Sequence, residues 1–181
     1  FADRQERVRK VAAKLLPAVS RKKLPWKITE IEYSVPNALA VPGGRMFVTS
    51  GLCHHFKGDE ELIAGVIAHE IAHIDRFHAV KALQARLAIS VGLALLGKLV
   101  EEKAPDYLGL LKDAGGLSVV LGSLKYSRTQ EEEADKYALK ILHRSGFTPR
   151  IMLRVMDSLK SLENGRSTDV LESMLSTHPT P

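Results

Sequence analysis

The sequence contains a single cysteine, Cys53, which excludes a disulfide within the chain and any zinc cluster built on cysteine thiolates. Aromatic residues make up only 6% of the sequence, and the aromatic-rich modules typical of nucleic-acid binding are missing. We therefore expect no nucleic-acid partner. Repeats and low-complexity tracts are also absent. The balance of 45% hydrophobic and 26% charged residues predicts one globular domain over residues 1–181.

A long hydrophobic run is missing as well. The most apolar stretch, Leu87–Gly97, lies between Arg86 and Lys98 and would form about 16 Å of helix. Crossing a bilayer requires about 30 Å, so we predict a buried helix and no transmembrane segment. The chain begins at Phe1 without a methionine or an apolar leader. We therefore expect it to be a piece of a longer chain, so the absence of a leader does not indicate a cytosolic location.

Basic residues are concentrated near the N-terminus, and the formal net charge of the chain is +5. These residues could contact anionic lipid or an acidic partner. They could also form the solvated face of an amphipathic helix whose other side carries Val8, Val11 and Leu15. We favour the second interpretation, and we leave peripheral membrane contact and the oligomeric state open.

The most informative pattern is His69-Glu70-Ile71-Ala72-His73, an HExxH run inside a predicted helix over residues 59–77. Residues four apart on a helix point the same way, so His69 and His73 can bind one metal ion. The Glu70 carboxylate lies where it can take a proton from a water. A surface helix that carries two histidines by chance is the alternative, but the apolar neighbours indicate burial, and buried histidines need partners. Two imidazoles, a third protein ligand and one open position suit a single zinc ion per chain.

The third ligand distinguishes the classes of HExxH site. Position 79 is Ala79, which excludes a third histidine ten residues after the first. A glutamate from a later helix remains, and the run from Gln130 to Asp135 contains three. Glu131 and Asp135 share a helical face, with the small Ala134 beside them to let two helices approach closely. Asp135 could accept the second ring N–H of a ligand histidine. A glutamate-rich helix start favoured by the helix dipole is the simpler explanation of this run.

Together, these residues resemble the gluzincin family that includes the CAAX prenyl protease, HtpX and the BepA-type periplasmic peptidases. The family pattern is HExxH followed by SRxxExxAD, and in this chain His69–His73 is followed by Ser127–Asp135. Pro36–Gly44 and Ser176–Pro179 resemble the family too, and His78 resembles its soluble, envelope-located branch. The similarity extends from about residue 36 to the C-terminus.

The resemblance implies a zincin-like fold and a zinc metalloendopeptidase that acts on polypeptides in the bacterial cell envelope or periplasm. It implies zinc bound by His69, His73 and Glu131, because Glu131 and neither of the next two glutamates falls on the ligand position. Glu70 is then the general base, and Asp135 supports a histidine ligand from outside the coordination sphere.

The resemblance also implies roles for two residues outside these motifs. His178 would lie near the metal, where it could stabilise the oxyanion or occupy the open position and close the site; both roles remain open. Asn37 belongs to an expected edge strand that would hold an extended substrate, and its side chain could bind a substrate amide. It could equally do no more than begin a turn after Pro36.

The pattern along the chain predicts an α+β fold, mostly helical, with a small three-stranded sheet next to the metal-binding helix. Alternation and turn residues predict strands over 26–33, 37–41 and 46–49. Apolar periodicity and capping residues predict helices over 3–19, 51–56, 59–77, 79–99, 105–124, 128–144, 149–163 and 168–175.

A second functional hypothesis is a zinc-stabilised quality-control or chaperone-like module whose peptidase activity is latent. In such a module the metal would contribute mainly folding energy. The presence of Glu70 argues against this hypothesis, because a purely structural zinc needs no general base.

Overall fold

The computed structural model of the chain describes residues 2–96 and 125–163. Within these ranges the elements are α1 (Ala2–Leu15), β1 (Lys27–Ile31), β2 (Ala38–Val41), β3 (Arg45–Thr49), α2 (Ser50–His55), α3 (Glu60–Asp75), α4 (His78–Leu96), α5 (Arg128–Arg144) and α6 (Ile151–Glu163). This mostly helical α+β arrangement confirms that part of the predicted fold class, and the zincin-like assignment stays a prediction. The helices predicted over 105–124 and 168–175, and His178, lie outside the described residues.

The three strands form one mixed sheet in the order β1-β3-β2. The β3 strand pairs with β1 in parallel and with β2 in an antiparallel register in which Ala38 lies opposite Val48. A turn at Gly43 and Gly44, both with positive φ, joins β2 to β3. The β2 strand is therefore at the edge of the sheet, and it packs beside α3.

The α3 helix lies at the centre of the domain, in contact with α1, α5, α6 and β2. Asp59 caps its N-terminus by accepting hydrogen bonds from the backbone N–H groups of Glu61 and Leu62. Most of its residues are buried, and its isoleucines at positions 63, 67 and 71 have no exposed surface. Gly65 allows close contact with α6, because a Cβ atom there would lie 2.7 Å from a methyl carbon of Val155. A helix buried on nearly all sides gives its histidines a rigid support.

The α5 helix begins at a capping box formed by residues of the SRTQEEEAD motif. The Ser127 hydroxyl accepts from the Gln130 backbone N–H at 3.2 Å, and the Gln130 side chain accepts from the Ser127 N–H at 2.9 Å. This cap fixes the first turn, where Glu131 lies. Ala134 is fully buried, and its small side chain allows the close packing of α5 on α3 that its size predicts.

A buried carboxylate at the end of α3 connects three parts of the chain. Asp75 Oδ2 accepts hydrogen bonds from Ser20 N at 2.7 Å and from the Tyr137 hydroxyl at 2.5 Å, while Oδ1 accepts from Arg21 N at 3.0 Å. Hydrogen bonds to a charged group contribute more to stability than neutral ones, about 1.5–3 kcal/mol each. Asp75 therefore holds the segment after α1 and the middle of α5 against the last turn of α3.

The α4 helix follows α3 after a sharp turn in which Phe77 adopts a left-handed conformation, with φ of 61°. Its backbone is helical through Leu96, which includes most of the apolar stretch singled out in the sequence. No helix within residues 2–96 and 125–163 has both the length and the apolarity needed to cross a membrane.

Candidate metal centre

His69 and His73 project from the same face of α3, as their spacing of four residues predicts. Their Nε2 atoms lie 3.0 Å apart, so both rings present the same nitrogen to the same point. His73 is almost completely buried, whereas 16% of the His69 side chain is exposed. The pair therefore lies at the boundary between the core and the surface, where a ligand can reach it.

Glu131 approaches the histidine pair from the first turn of α5. Its Oε2 lies 3.3 Å from His69 Nε2, and its Oε1 lies 3.6 Å from His73 Nε2. Glu131 is 4% exposed, and a glutamate buried to this extent needs a cationic partner or a metal ion to balance its charge. One ligand atom from each of the three residues lies within 4.8 Å of the others.

These distances fit a zinc ion. A tetrahedral zinc with bonds of about 2.0–2.1 Å keeps its ligand atoms about 3.3 Å apart. The separations of 3.0, 3.3 and 3.6 Å between the His69, His73 and Glu131 atoms lie around this value. Two imidazole nitrogens and a carboxylate oxygen are also a donor set that zinc prefers. The structure thus brings together the three residues that the sequence singled out as metal ligands.

Each of the three consecutive glutamates has a different environment. Glu131 faces the histidine pair, whereas Glu132 is exposed and pairs with Lys136 at 3.4 Å. Glu133 accepts a hydrogen bond from Arg76 Nε at 2.6 Å. The helical rotation of about 100° per residue separates their directions, so only one of the three carboxylates faces the metal site.

Asp135 lies one turn beyond Glu131 and contacts the other side of His69. Its Oδ1 is 2.9 Å from His69 Nδ1. A carboxylate accepts hydrogen bonds only, so Nδ1 carries a proton, and Nε2 is directed toward the ligand site. This is the contact expected for Asp135 from its position in the sequence.

Glu70 is buried, with 3% of its surface exposed, and it lies next to His69 on α3. Its negative charge raises the pKa of His69 and also that of the Tyr126 hydroxyl, so the carboxylate is close to both groups. A carboxylate enclosed next to a metal site is suited to accept and return a proton.

In the metal-free site, His69 holds a proton strongly. Burial alone would lower its pKa, but hydrogen bonds to Asp135 and Glu131 and the charges of Glu70 and Glu131 outweigh it and raise the pKa to about 10. At neutral pH the ring is therefore an imidazolium, and it must lose a proton before Nε2 can bind a metal.

Zinc binding at pH 7 is therefore expected to release about one proton, and the zinc affinity should rise by up to tenfold per pH unit below about pH 10. Calorimetric titrations with zinc in buffers of different ionisation enthalpy measure the proton count. Asp135→Asn removes the largest contribution that raises the pKa, so this variant should release fewer protons. A binding heat independent of the buffer would contradict the prediction.

Two aromatic residues near the metal site, Tyr126 and His78, were not predicted to contact it. Tyr126, just before α5, stacks on the His73 ring with centroids 4.0 Å apart and an interplanar angle of 25°. Burial, followed by the charges of Glu70 and Glu131, holds the pKa of its hydroxyl well above the usual range, so Tyr126 stays protonated. His78 is fully buried, and its Nδ1 lies 3.1 Å from His73 Nδ1. Tyr126 directly precedes the SRTQEEEAD motif, which is the only sequence signal that could have indicated it.

Asn37 lies just before β2, at the edge of the sheet. Its backbone N–H donates to Thr49 Oγ1 and its carbonyl accepts from Thr49 N. Its side-chain Oδ1 accepts from the backbone N–H of Ala38 at 2.8 Å. Asn37 thus bonds to β3 through its backbone, so the N–H and C=O groups of Ala38 and Ala40 point toward the outer edge. The first outward-facing donor of that edge, the Ala38 N–H, is therefore already bonded to the Asn37 side chain.

A cleft of about 360 Å³, part of it open to solvent, lies between the outer part of β2 and the end of α3. Its walls are mainly apolar, and the cleft is lined by Arg21, Ala40, Pro42, Gly43, His73, Ile74, Phe77, Ala79 and Val80. The Arg21 guanidinium stacks over the Phe77 ring at 4.0 Å and donates to the Ile74 carbonyl. The cleft therefore connects the sheet edge to one of the candidate metal ligands.

Comparison with known proteins agrees with this geometry. The sequence profile of Peptidase family M48 matches residues 2–181. The chain is 31% identical over 156 residues to the mitochondrial metalloendopeptidase OMA1 of Arabidopsis thaliana, covering 86% of this chain and 29% of the relative. It is 32% identical over 148 residues to the beta-barrel assembly-enhancing protease of Yersinia pestis, covering 80% of this chain and 30% of the relative. The metalloprotease LoiP of Escherichia coli is 32% identical over 146 residues.

The chain spans less than a third of the length of the Arabidopsis and Yersinia relatives, of which 29% and 30% are aligned. The alignments cover 79% to 86% of this chain in the three comparisons. The matched segment is therefore shared with longer proteins.

Proposed function

Because this chain belongs to Peptidase family M48, we propose that it is the catalytic domain of a zinc metalloendopeptidase that hydrolyses extended or misfolded polypeptides. One observation carries the proposal: donor atoms of His69, His73 and Glu131 lie within 4.8 Å of one another. The buried Glu70 next to them supports hydrolysis, because a purely structural zinc site has no use for a general base. One zinc ion per chain is the cofactor that this donor set favours.

In the proposed mechanism, His69, His73 and Glu131 hold the metal. Bound zinc supplies Lewis-acid chemistry, which acidifies water and polarises the scissile carbonyl. Glu70 takes a proton from the attacking water and later returns it to the leaving amine nitrogen. Asp135 keeps the His69 ring in one tautomer and one orientation. His178 remains a proposed oxyanion donor or a residue that closes the site.

The outer edge of β2 is the proposed binding site of the substrate backbone. An extended peptide adds to a sheet edge through main-chain hydrogen bonds, with little dependence on side chains. The outward-facing carbonyl of Ala38 and the N–H and carbonyl of Ala40 supply such bonds, whereas the Ala38 N–H is bonded to the Asn37 side chain. Ala40 also lines the cleft beside His73. This arrangement would hold a peptide bond next to the metal, with one mainly apolar substrate side chain in the cleft.

Replacing Asn37 with alanine is expected to reduce peptide turnover and to leave zinc content unchanged. The substitution removes the amide that organises the start of the binding edge, but it changes no proposed metal ligand. Steady-state kinetics on a fluorogenic peptide, together with metal analysis of the purified variant, test this expectation. An unchanged kcat/KM would reject the substrate role and favour a purely local turn role for Asn37.

The proposed activity is tested most directly with unfolded casein. The zinc-loaded protein should degrade casein, lose this activity when a chelator removes the metal, and regain it when zinc is restored. A peptidase contaminant would not follow the metal content of this protein across independent preparations. Failure of the zinc-loaded chain to cleave casein and a diverse peptide library would argue against the enzyme.

A location in the bacterial cell envelope or periplasm is part of the proposal. It is supported by the resemblance to the BepA-type peptidases and by the relatives named beta-barrel assembly-enhancing protease. Other relatives are mitochondrial by name, so the domain occurs in more than one compartment. Fractionation of cells that carry the full-length protein would decide the location.

A further inference from the structure

His78 has a contact at each end of its ring, although it is fully buried. Its Nδ1 lies 3.1 Å from His73 Nδ1, and its Nε2 lies 3.2 Å from Glu133 Oε2. Glu133 is in turn bonded to Arg76 Nε at 2.6 Å. A continuous hydrogen-bonded chain therefore runs from His73 through His78 and Glu133 to Arg76; we call it the His78 chain.

The backbone places His78 at this position through the turn between α3 and α4. The α3 helix ends at Asp75, and the left-handed Phe77 changes the direction of the chain before α4 begins at His78, whose Nδ1 lies next to His73 Nδ1. The side chain of Gln130, in the capping box of α5, donates to the His78 carbonyl at 3.3 Å. The backbone of His78 is thus attached to the same helix that provides Glu131 and Glu133.

Only one set of proton positions satisfies every contact in the His78 chain when His73 binds a metal through Nε2. The neutral His73 ring then carries its proton on Nδ1 and donates it to His78 Nδ1. His78 must therefore carry its own proton on Nε2, where the Glu133 carboxylate accepts it. The positive Arg76 keeps that carboxylate charged and oriented.

From this geometry we propose that His78 is a positioning residue for the metal site, which fixes the tautomer and orientation of His73 and transmits the charge of Glu133 to it. The proposal rests on the proposed zinc site. It gives the two ligand histidines equivalent support from α5: His69 receives a carboxylate directly from Asp135, and His73 receives one indirectly from Glu133 through His78. Such outer hydrogen bonds orient a ligand ring and raise its basicity.

The test compares zinc affinity, measured by competition with a chromogenic chelator, across four variants. His78→Phe keeps a ring but removes both hydrogen bonds, so it should weaken zinc binding by about 10–100-fold. His78→Asn places an amide oxygen near the position of Nδ1, so it should recover most of that loss. Glu133 is connected to the metal site only through His78, so Glu133→Gln should weaken zinc binding by a smaller factor, about 3–10-fold. Glu132→Gln, the exposed neighbour, is the matched control and should leave the affinity unchanged.

A second measurement keeps the proposal testable if the buried Phe substitution prevents folding. In the zinc-loaded wild type, long-range ¹H–¹⁵N spectra should show His73 protonated at Nδ1 and His78 protonated at Nε2. The opposite tautomer of His78 would overturn the proposal. It would also be overturned if folded His78→Phe, His78→Asn and Glu133→Gln all bound zinc as tightly as the Glu132→Gln control. If the wild type binds no zinc, the proposed function itself fails, which is a distinct outcome.

Discussion

Replacement of Glu70 by glutamine is expected to reduce kcat/KM for peptide hydrolysis by about 10²–10⁴-fold, the usual contribution of a general acid–base group. Glutamine has nearly the volume of glutamate, so it fits the buried position of Glu70. It cannot accept a proton from water at neutral pH, which removes the proposed base. Hydrolysis of a fluorogenic peptide and metal analysis of the same preparation measure the two effects separately.

Zinc content should remain at one ion per chain in the Glu70→Gln variant, because the three proposed ligands are unchanged. Glu60→Gln is a matched control on the same helix: this glutamate lies in the first turn of α3 and pairs with Lys14 at the surface. It should keep full activity. Equal casein cleavage by the wild type and by Glu70→Gln would end the enzyme hypothesis and favour a zinc-stabilised quality-control or chaperone-like module.

Replacement of Glu131 by glutamine is expected to weaken zinc binding by more than about 10²-fold and to abolish activity at limiting zinc. Structural zinc in zinc-finger peptides contributes about 10–16 kcal/mol in total, so one of four coordination positions corresponds to about 2.5–4 kcal/mol, or about 10²–10³-fold in affinity. The amide is a poorer zinc ligand than the carboxylate that lies 3.3 Å from His69 Nε2. Chelator competition measures the affinity, and adding excess zinc shows whether activity returns.

Glu132→Gln is the matched control for this experiment, since it makes the same chemical change one residue further along α5. Glu132 is exposed and pairs only weakly with Lys136 across one helical turn, at 3.4 Å. The control should bind zinc as tightly as the wild type. If both variants bind zinc equally well, the third ligand is another residue, and the proposed coordination is wrong.

The local parts of this site could be predicted from the sequence because helical geometry fixes them. His69 and His73 converge because they are one turn apart, and Asp135 lies one turn after Glu131 for the same reason. The choice of Glu131 among three consecutive glutamates depended on family resemblance. Spacing alone cannot say which face of α5 packs on α3.

The contact between His78 and His73 was not indicated by the sequence. Nine residues after His69, it would lie half a turn away from it on a continuous helix, which makes a role as a metal ligand improbable. The helix instead ends at Asp75, and the turn at Phe77 brings the ring back to His73. Helical periodicity no longer applies beyond the end of a helix, so a contact made there depends on tertiary structure.

The sheet, too, could be predicted from the sequence only where its contacts are local. Alternating residues and the turn at Pro42-Gly43-Gly44 predicted three strands close to those observed, and β2 and β3 pair across that turn. The parallel pairing of β1 with β3 was not predicted. Its partners are about 18 residues apart, and no local signal in the sequence specifies a parallel neighbour.

Two separate attachments join α3 to α5: the Asp135–His69 contact on the metal side and the Tyr137–Asp75 hydrogen bond at the end of α3. Two fixed points prevent one helix from sliding along or rotating about the other. The proposed ligands are therefore preorganised, and exchange of a bound ion would require little rearrangement of the polypeptide. This domain should differ from small zinc fingers, in which loss of the ion unfolds the chain, and should tolerate repeated cycles of demetallation and reloading.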